Sequence, residues 1–286
     1  MLTAEAIRAA LHTVPQIVHV EQHAAIGSTN DRARDLAQAG APEIALISAD
    51  EQLAGRGRQG RAWFTPPGAA LAISLLTRPA IAPQHALRLT LLAGLAAIEG
   101  IEHATGLRLG LKWPNDIVAM HNAQLTIDNV QCPSSSLISD PSSLIPHPLK
   151  VGGILTETAV QGDTLEYAVI GLGINVNVEF GDQAELRGIA TSLKELTGHP
   201  IDRLAVLRAI VIAWVERAAW LNDGDRLRAA WAARLINLGH EIRVQLGDEI
   251  LTGRADGVDL DGALLLRTPD GQLHRVLAGD VTLHNL

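Results

Sequence analysis

Polar and apolar positions along this chain switch repeatedly between the helical and the strand period. Ser28 and Thr29 precede a helical pattern over residues 30–39, with Asp31 in its first turn and Gly40 as its stop. Apolar runs at 44–48 and 71–76 read as buried strands, separated by a Gly/Arg-rich stretch and the turn Pro66-Pro67-Gly68. A long apolar helix is expected over 84–104. Residues 107–113 alternate, with Leu107, Leu109, Leu111 and Trp113 on one face and Arg108, Gly110 and Lys112 on the other. Further strands are expected at 152–158 and 165–178, then two amphipathic helices within 201–237, broken near Asn222-Asp223-Gly224. From about residue 239 short strands recur between turns at Gly247-Asp248, Asp261-Gly262 and Asp270-Gly271, the pattern of a small β-barrel. Residues 120–149, with six serines, four prolines and Cys132, fit neither period and read as an inserted loop.

Composition acts mainly by exclusion. A formal net charge of -8 argues against a broad nucleic-acid face while leaving room for a specific anion site. One cysteine rules out an intramolecular disulfide framework, and the eleven histidines show no metal-ligand spacing. No apolar run reaches the roughly 18–20 residues of a membrane span, and the first residues lack a signal-peptide pattern, so a cytoplasmic protein without membrane contact is expected. With aromatic residues at 3%, the core must rest on aliphatic side chains. Of the five tryptophans, Trp214, Trp220 and Trp231 lie in helical patterns and are expected to pack, while Trp63 and Trp113 adjoin unusual polar sequences.

Five such polar or glycine-rich segments recur at strand ends. They are Gly27-Ser28-Thr29-Asn30, then Gln52 with the loop Gly55-Arg56-Gly57-Arg58-Gln59-Gly60-Arg61, then Lys112-Trp113-Pro114-Asn115-Asp116, Lys150-Val151-Gly152-Gly153 and Gly171-Leu172-Gly173-Ile174-Asn175. Each has a plain structural explanation: a helix cap, a solvated basic turn, an exposed lysine, a bulge. Arginine forks among glycines also suit a carboxylate or phosphate approached by the main chain. Gly171-x-Gly173 lacks the third glycine of a dinucleotide fingerprint, no P-loop occurs, and Gly-x-Ser-x-Gly is absent.

Taken together and in this order, the five segments resemble the catalytic domain of biotin protein ligases, over residues 20–119 and 150–286; the 120–149 insertion departs from the pattern. The resemblance implies an α+β fold, a mixed sheet flanked by helices of the class II synthetase-like kind over residues 1–238, and an SH3-like β-barrel over 239–286. It implies ATP-dependent attachment of biotin to a lysine of a biotin carboxyl carrier domain of a carboxylase, through biotinyl-5'-adenylate. Ser28, Thr29, Asn30 and Gln52 would bind the ureido head, with Arg56, Gly57, Arg58 and Lys150 on the rest of biotin. Arg61, Trp63, Asn115, Gly152 and Asn175 would hold the nucleotide. Lys112, Arg56, Arg58 and Asp116 would carry the chemistry, with Mg2+ held mainly by the phosphates, Asp116 a candidate contact, and the metal ligands otherwise unassigned. The loop at 55–61 would be a flexible lid over the adenylate. Lipoate ligases share the fold and chemistry, but the arginine loop and Gln52 favour biotin. A noncatalytic binding module is disfavoured by Lys112 together with that loop. The 26 residues before Gly27 are too few for a winged helix, so no DNA partner is expected. Oligomeric state is left open, a homodimer included.

Overall fold

The computed structural model describes residues 2–41, 44–119, 148–181 and 183–283; the expected insertion at 120–149, Cys132 included, lies almost wholly outside them. Seven strands form one sheet in the order β1-β2-β3-β7-β6-β5-β4. They are β1 (His19–His23), β2 (Ile44–Ala49), β3 (Leu71–Thr77), β4 (Gly110–Lys112), β5 (Asp116–Ala119), β6 (Leu149–Gln161) and β7 (Thr164–Ile174). β1 runs parallel to β2 and every other neighbouring pair is antiparallel, which makes the sheet mixed.

The sheet's two faces differ in what covers them. Leu71, Ile73 and Leu75 of β3, with Ile170, Leu172 and Ile174 of β7, belong to the main core beside the long helix α3 (Leu87–Thr105). Against α3 pack α5 (Arg203–Arg217) and α6 (Gly224–Ala232). Gly100 lets α5 approach closely: a Cβ there would lie 2.5 Å from the Ile210 nitrogen. On the opposite face, α2 (Thr29–Gln38) covers one end through Ala33 and Ala37 against Ile47, Leu76 and Val169. The other end of that face carries small side chains.

The expected strand at 107–113 is shortened to β4 because its first residues bond elsewhere. Leu107 and Leu109 donate their amides to the side chains of Thr105 and Glu102 at the end of α3. The alternation survives, with Leu107, Leu109, Leu111 and Trp113 buried. The outer edge of β4 is closed by residues 234–236: Leu111 donates to Arg234 O and accepts from Ile236 N. Two short helices, α1 (Ala4–Ala10) and α4 (Leu193–Thr197), were not anticipated. They rest on local caps: Thr3 on Ala6 N, and a reciprocal Ser192/Glu195 capping box.

The C-terminal unit is a five-stranded antiparallel sheet in the order β11-β10-β9-β8-β12. Its strands are β8 (Glu241–Leu246), β9 (Glu249–Val258), β10 (Leu264–Arg267), β11 (Leu273–Val276) and β12 (Asp280–Leu283). Gly247, Gly262 and Gly271 at its turns all take positive φ, as the sequence implied. The Asp261-Gly262 turn docks on the first unit. Trp113 Nε1 donates to Gly262 O at 2.9 Å, and Asp261 accepts from Arg88 Nε at 2.9 Å, with His85 Nδ1 at 2.7 Å. Trp113 is therefore an inter-unit core residue; Trp214 and Trp231 are buried as expected. Trp220 is half-buried under the guanidinium groups of Arg217 and Arg226.

Candidate active site

A row of cross-strand neighbours builds the floor of the site: Ala49, Ala72, Gly173, Gly153, Asp116 and Lys112 lie directly opposite one another across β2, β3, β7, β6, β5 and β4. Paired residues point to one face of a sheet, so four small residues make a low strip, the trough, over which Asn30 and Trp63 lie, with Asp116 and Lys112 at its end. The parallel row places Ser74, Gly171 and Leu155 on the same face. The two glycines of β7 make room for side chains that cross this face. A Cβ on Gly171 would overlap Asn30 Oδ1, and one on Gly173 would overlap the Trp63 indole.

At one end, the start of α2 meets the end of β2. Gln52, aligned with Ile26 by a parallel bridge, accepts at Oε1 from Thr29 N (2.9 Å) and Thr29 Oγ1 (3.0 Å). Gln52 thus satisfies a helix N-terminal amide that Ser28, although at the N-cap, leaves without a side-chain bond. Ser74 Oγ lies 2.8 Å from Thr29 Oγ1 and 2.6 Å from Asn30 Oδ1, its one proton serving one of them at a time. Asn30 Nδ2 donates to Glu157 Oε2 at 2.6 Å. Ser28, Thr29, Asn30 and Ser74 are all buried.

At the other end cations gather. A one-residue irregularity between β5 and β6 pairs Ile117 with Gly152 but Val118 with Lys150, which turns the Lys150 side chain onto the face of Gly153. Lys150 Nζ is 2.6 Å from Asp116 Oδ1 and 5.4 Å from the centre of the Trp63 ring. Burial pushes the Lys112 ammonium below the ordinary lysine range; Asp116 opposes this and Lys150 adds to it. Burial also lowers Arg58, against the pull of Asp280 and Asp116.

The arginine loop, expected as a flexible lid, makes bonds within itself and to its neighbours. Gly57 N donates to Arg61 O at 2.7 Å, Trp63 N to Gly55 O at 2.9 Å, and Gln59 and Gly60 take positive φ. Its arginines are tethered. Arg56 makes two bonds, of 2.5 and 2.7 Å, to Asp31 on α2, and Arg61 pairs with Asp280 on β12. Arg58 reaches Asn115 Oδ1 and Gly279 O, both at 3.4 Å. Among the described residues, Lys112 and Arg58 are thus the site cations with no carboxylate within 4 Å.

Three expected residues are placed differently. Gly152 falls on the core face, where a Cβ would lie 2.7 Å from Ile174 Cδ1, and Gly153 is the one opening on the trough. Asn175 is 4% exposed, with Nδ2 committed to the carbonyls of Thr191 (3.1 Å) and Lys150 (3.4 Å). The Gly57 amide is held within its own loop. The sequence reading missed Ser74, Glu157, Asp31 and Asp280. Alternation of Gly171 and Gly173 was the available signal for the cleared face; the carboxylates are nonlocal and gave none.

The sequence profile of the Biotin/lipoate A/B protein ligase family matches residues 24–175, which span the trough and both its ends. The chain belongs to this family. A second profile, the Biotin protein ligase C terminal domain, matches 238–283, the span of the small sheet. The ligase is 34% identical over 285 residues to "Bifunctional ligase/repressor BirA" of Bacillus subtilis (strain 168), covering 99% of this chain and 79% of that one. It is 32% identical over 252 residues to the "Biotin--[acetyl-CoA-carboxylase] ligase" of Paracoccus denitrificans, covering 86% and 92%. Among solved structures, the biotin protein ligase from Aquifex aeolicus in complex with biotin and ATP superposes with a TM-score of 0.71 at 26% identity, over 94% of this chain and 100% of that one. The Leishmania major ligase in complex with biotinyl-5-AMP shares the fold at a TM-score of 0.57 and 21% identity, over 91% and 99%.

Proposed function

We propose that this ligase joins biotin to a lysine of a biotin carboxyl carrier domain in two steps. Biotin's carboxylate attacks the α-phosphorus of ATP, releasing pyrophosphate; the carrier amine then attacks the acyl carbon of biotinyl-5'-adenylate and AMP leaves. The observation that carries this reading is the trough itself, with a buried polar cluster at one end and Lys112 and Arg58 at the other. Such a trough suits a ligand with a hydrogen-bonding head and an anionic tail. A ureido group offers one carbonyl and two N–H groups to Ser28, Thr29, Asn30 and Gln52. A dithiolane offers neither and would leave those groups unpaired, which favours biotin over lipoate.

Adenylation brings two anions together, so the site must supply positive charge before the reaction starts. Lys112 and Arg58 meet the phosphate directly. Arg56 and Lys150 hold the biotin carboxylate once ligand competes with Asp31 and Asp116 for them. Trp63 and Arg61 flank the adenylate, Asn115 orients Arg58, and Gly152 and Asn175 fix the strand ends beneath it; an adenine contact by Asn175 would draw on its carbonyl rather than its committed amide. The tethered loop excludes water from a mixed anhydride that water would hydrolyse.

Mg2+ would enter on the ATP phosphates, supplying charge neutralisation there. The donor set fits that limited role: among the described residues no three His, Cys, Asp or Glu side chains cluster for a metal, and Asp116 is the carboxylate beside Lys112. The division at residue 238/239, a carboxylase carrier as partner and a cytoplasmic setting without DNA binding complete the reading; no helix among the described residues is long and apolar enough to cross a membrane. ATP/pyrophosphate exchange tests it. Exchange should require biotin; exchange supported by lipoate instead, or none with either acid, would overturn it.

A further inference from the structure

The geometry points to Glu157 as the positioning residue that fixes the orientation of the Asn30 amide in the ureido pocket. Glu157 lies on β6 opposite Val169, two residues from Leu155 on the trough face. An ionised carboxylate only accepts, so Glu157 Oε2 at 2.6 Å from Asn30, with the Leu155 carbonyl at 3.4 Å beside it, holds the amide nitrogen of Asn30 toward itself. Asn30 Oδ1 then has to face Ser74 and Gly171, where Ser74 Oγ is 2.6 Å away. Thr29 donates its hydroxyl to Gln52 Oε1, which also takes the Thr29 amide and is thereby filled. Gln52 must then present its nitrogen, now only 3.4 Å from Thr65 Oγ1, as the outward donor. Glu157 thus fixes the Asn30 side of the pocket, and the Thr29 amide fixes the Gln52 side.

Arg34 makes the carboxylate irreplaceable by its amide. Arg34 NH1 lies 3.4 Å from Glu157 Oε1 and can only donate. In Glu157→Gln it would claim the carbonyl oxygen, leaving an NH2 facing the Asn30 NH2. Asn30 would then either face that NH2 or turn over, setting its oxygen toward the Leu155 carbonyl and offering Ser74 a donor; both arrangements are mispaired. Asn30→Asp alone would set two carboxylates against each other. The double substitution Asn30→Asp with Glu157→Gln restores a donor–acceptor contact and leaves an acceptor facing Ser74.

This inference rests on biotin occupying the polar end, and the experiment separates the two. Exchange kinetics are measured for the intact ligase and for Glu157→Gln, Asn30→Asp, the double variant and Gln52→Leu, with biotin and with 2-iminobiotin, whose ureido oxygen is replaced by nitrogen. Glu157→Gln should raise the biotin KM by about tenfold, the usual consequence of a buried mispaired polar group, with the ATP KM unchanged and preference for biotin over 2-iminobiotin reduced. Asn30→Asp should be worse, and the double variant should recover most of the loss. A wild-type biotin KM in Glu157→Gln, a parallel rise in the ATP KM, or a double variant no better than Asn30→Asp overturns the role of Glu157. Gln52→Leu with an unchanged biotin KM would instead refute the placement of biotin.

Discussion

Replacing Lys112 separates catalysis from binding. Arg56, Arg61 and Lys150 each have a carboxylate partner in Asp31, Asp280 and Asp116, so their charges are largely compensated before substrate arrives. Lys112 has none within 4 Å among the described residues, and burial already disfavours its charged form. A cation brought to about 4 Å from a phosphate oxygen at an effective dielectric constant near 20 is worth about 4 kcal/mol. Loss of one preorganised charge contact of this kind slows reactions by about 10²- to 10³-fold. Lys112→Ala should therefore lower the single-turnover rate of pyrophosphate release by that factor, while biotin affinity, determined at the far end of the trough, changes by less than about threefold. The fold should not suffer. Because its folded-state pKa is lowered, Lys112 binds its proton less tightly in the folded than in the unfolded chain. Its burial thus costs stability at neutral pH, and that cost disappears as pH rises from its folded value through the ordinary lysine value. Lys112→Met should accordingly unfold at the same or higher urea concentration at pH 7. Pyrophosphate release at the wild-type rate, or a biotin affinity that falls as far as the rate, would refute the argument.

Other expectations follow from particular contacts. Gly173→Ala would drive a methyl group into the Trp63 indole; it should raise the ATP KM by about tenfold or more without preventing folding, as thermal melting and exchange kinetics would show. Asp280→Ala removes the exposed pair with Arg61; unfolding free energy should fall by less than about 1 kcal/mol, while amide hydrogen exchange across residues 55–61 accelerates. Glu21, bonded first of all to Arg32 and also to His19 and His23, has its pKa lowered from 4.5 to about 2. Its contribution, cut by solvent screening of the partly exposed pair to on the order of 1 kcal/mol, is complete above about pH 4.5 and is lost as pH falls through about 2. The stability gap between the native protein and Glu21→Gln should therefore shrink from pH 7 to pH 3, and a gap independent of pH would contradict it.

The architecture was readable where one periodicity acts alone. Apolar runs gave β2 and β3, and each Gly turn of the C-terminal sheet stood where the chain reverses. Legibility failed where a residue's partner is distant. The loop at 55–61 reads as flexible from its glycines, and its pairing with Asp31 and Asp280, 25 and 219 positions away from the arginines they bind, leaves no local signal. Lys112 and Asp116 stood out as neighbours because they share a short segment, and β4 and β5 place them opposite one another. Lys150 reaches them through an irregularity in strand pairing, which no periodicity reveals. Ser74 was hidden inside a run read only as core, although it faces the trough. Gly152, the glycine assigned to the nucleotide, lies on the core face while its neighbour Gly153 opens on the trough, a difference set by the pleat.

The central claim is that the trough holds biotinyl-adenylate and passes the biotinyl group to a protein lysine. Its most direct test incubates the purified ligase with ATP, Mg2+ and a biotin carboxyl carrier domain, in parallel with biotin and with lipoate, and measures the intact mass of the carrier. The account predicts a single biotinyl addition that requires ATP and disappears when the carrier's acceptor lysine is replaced by arginine. An unmodified carrier in the presence of biotin and ATP, or a lipoyl addition in place of the biotinyl one, would contradict it.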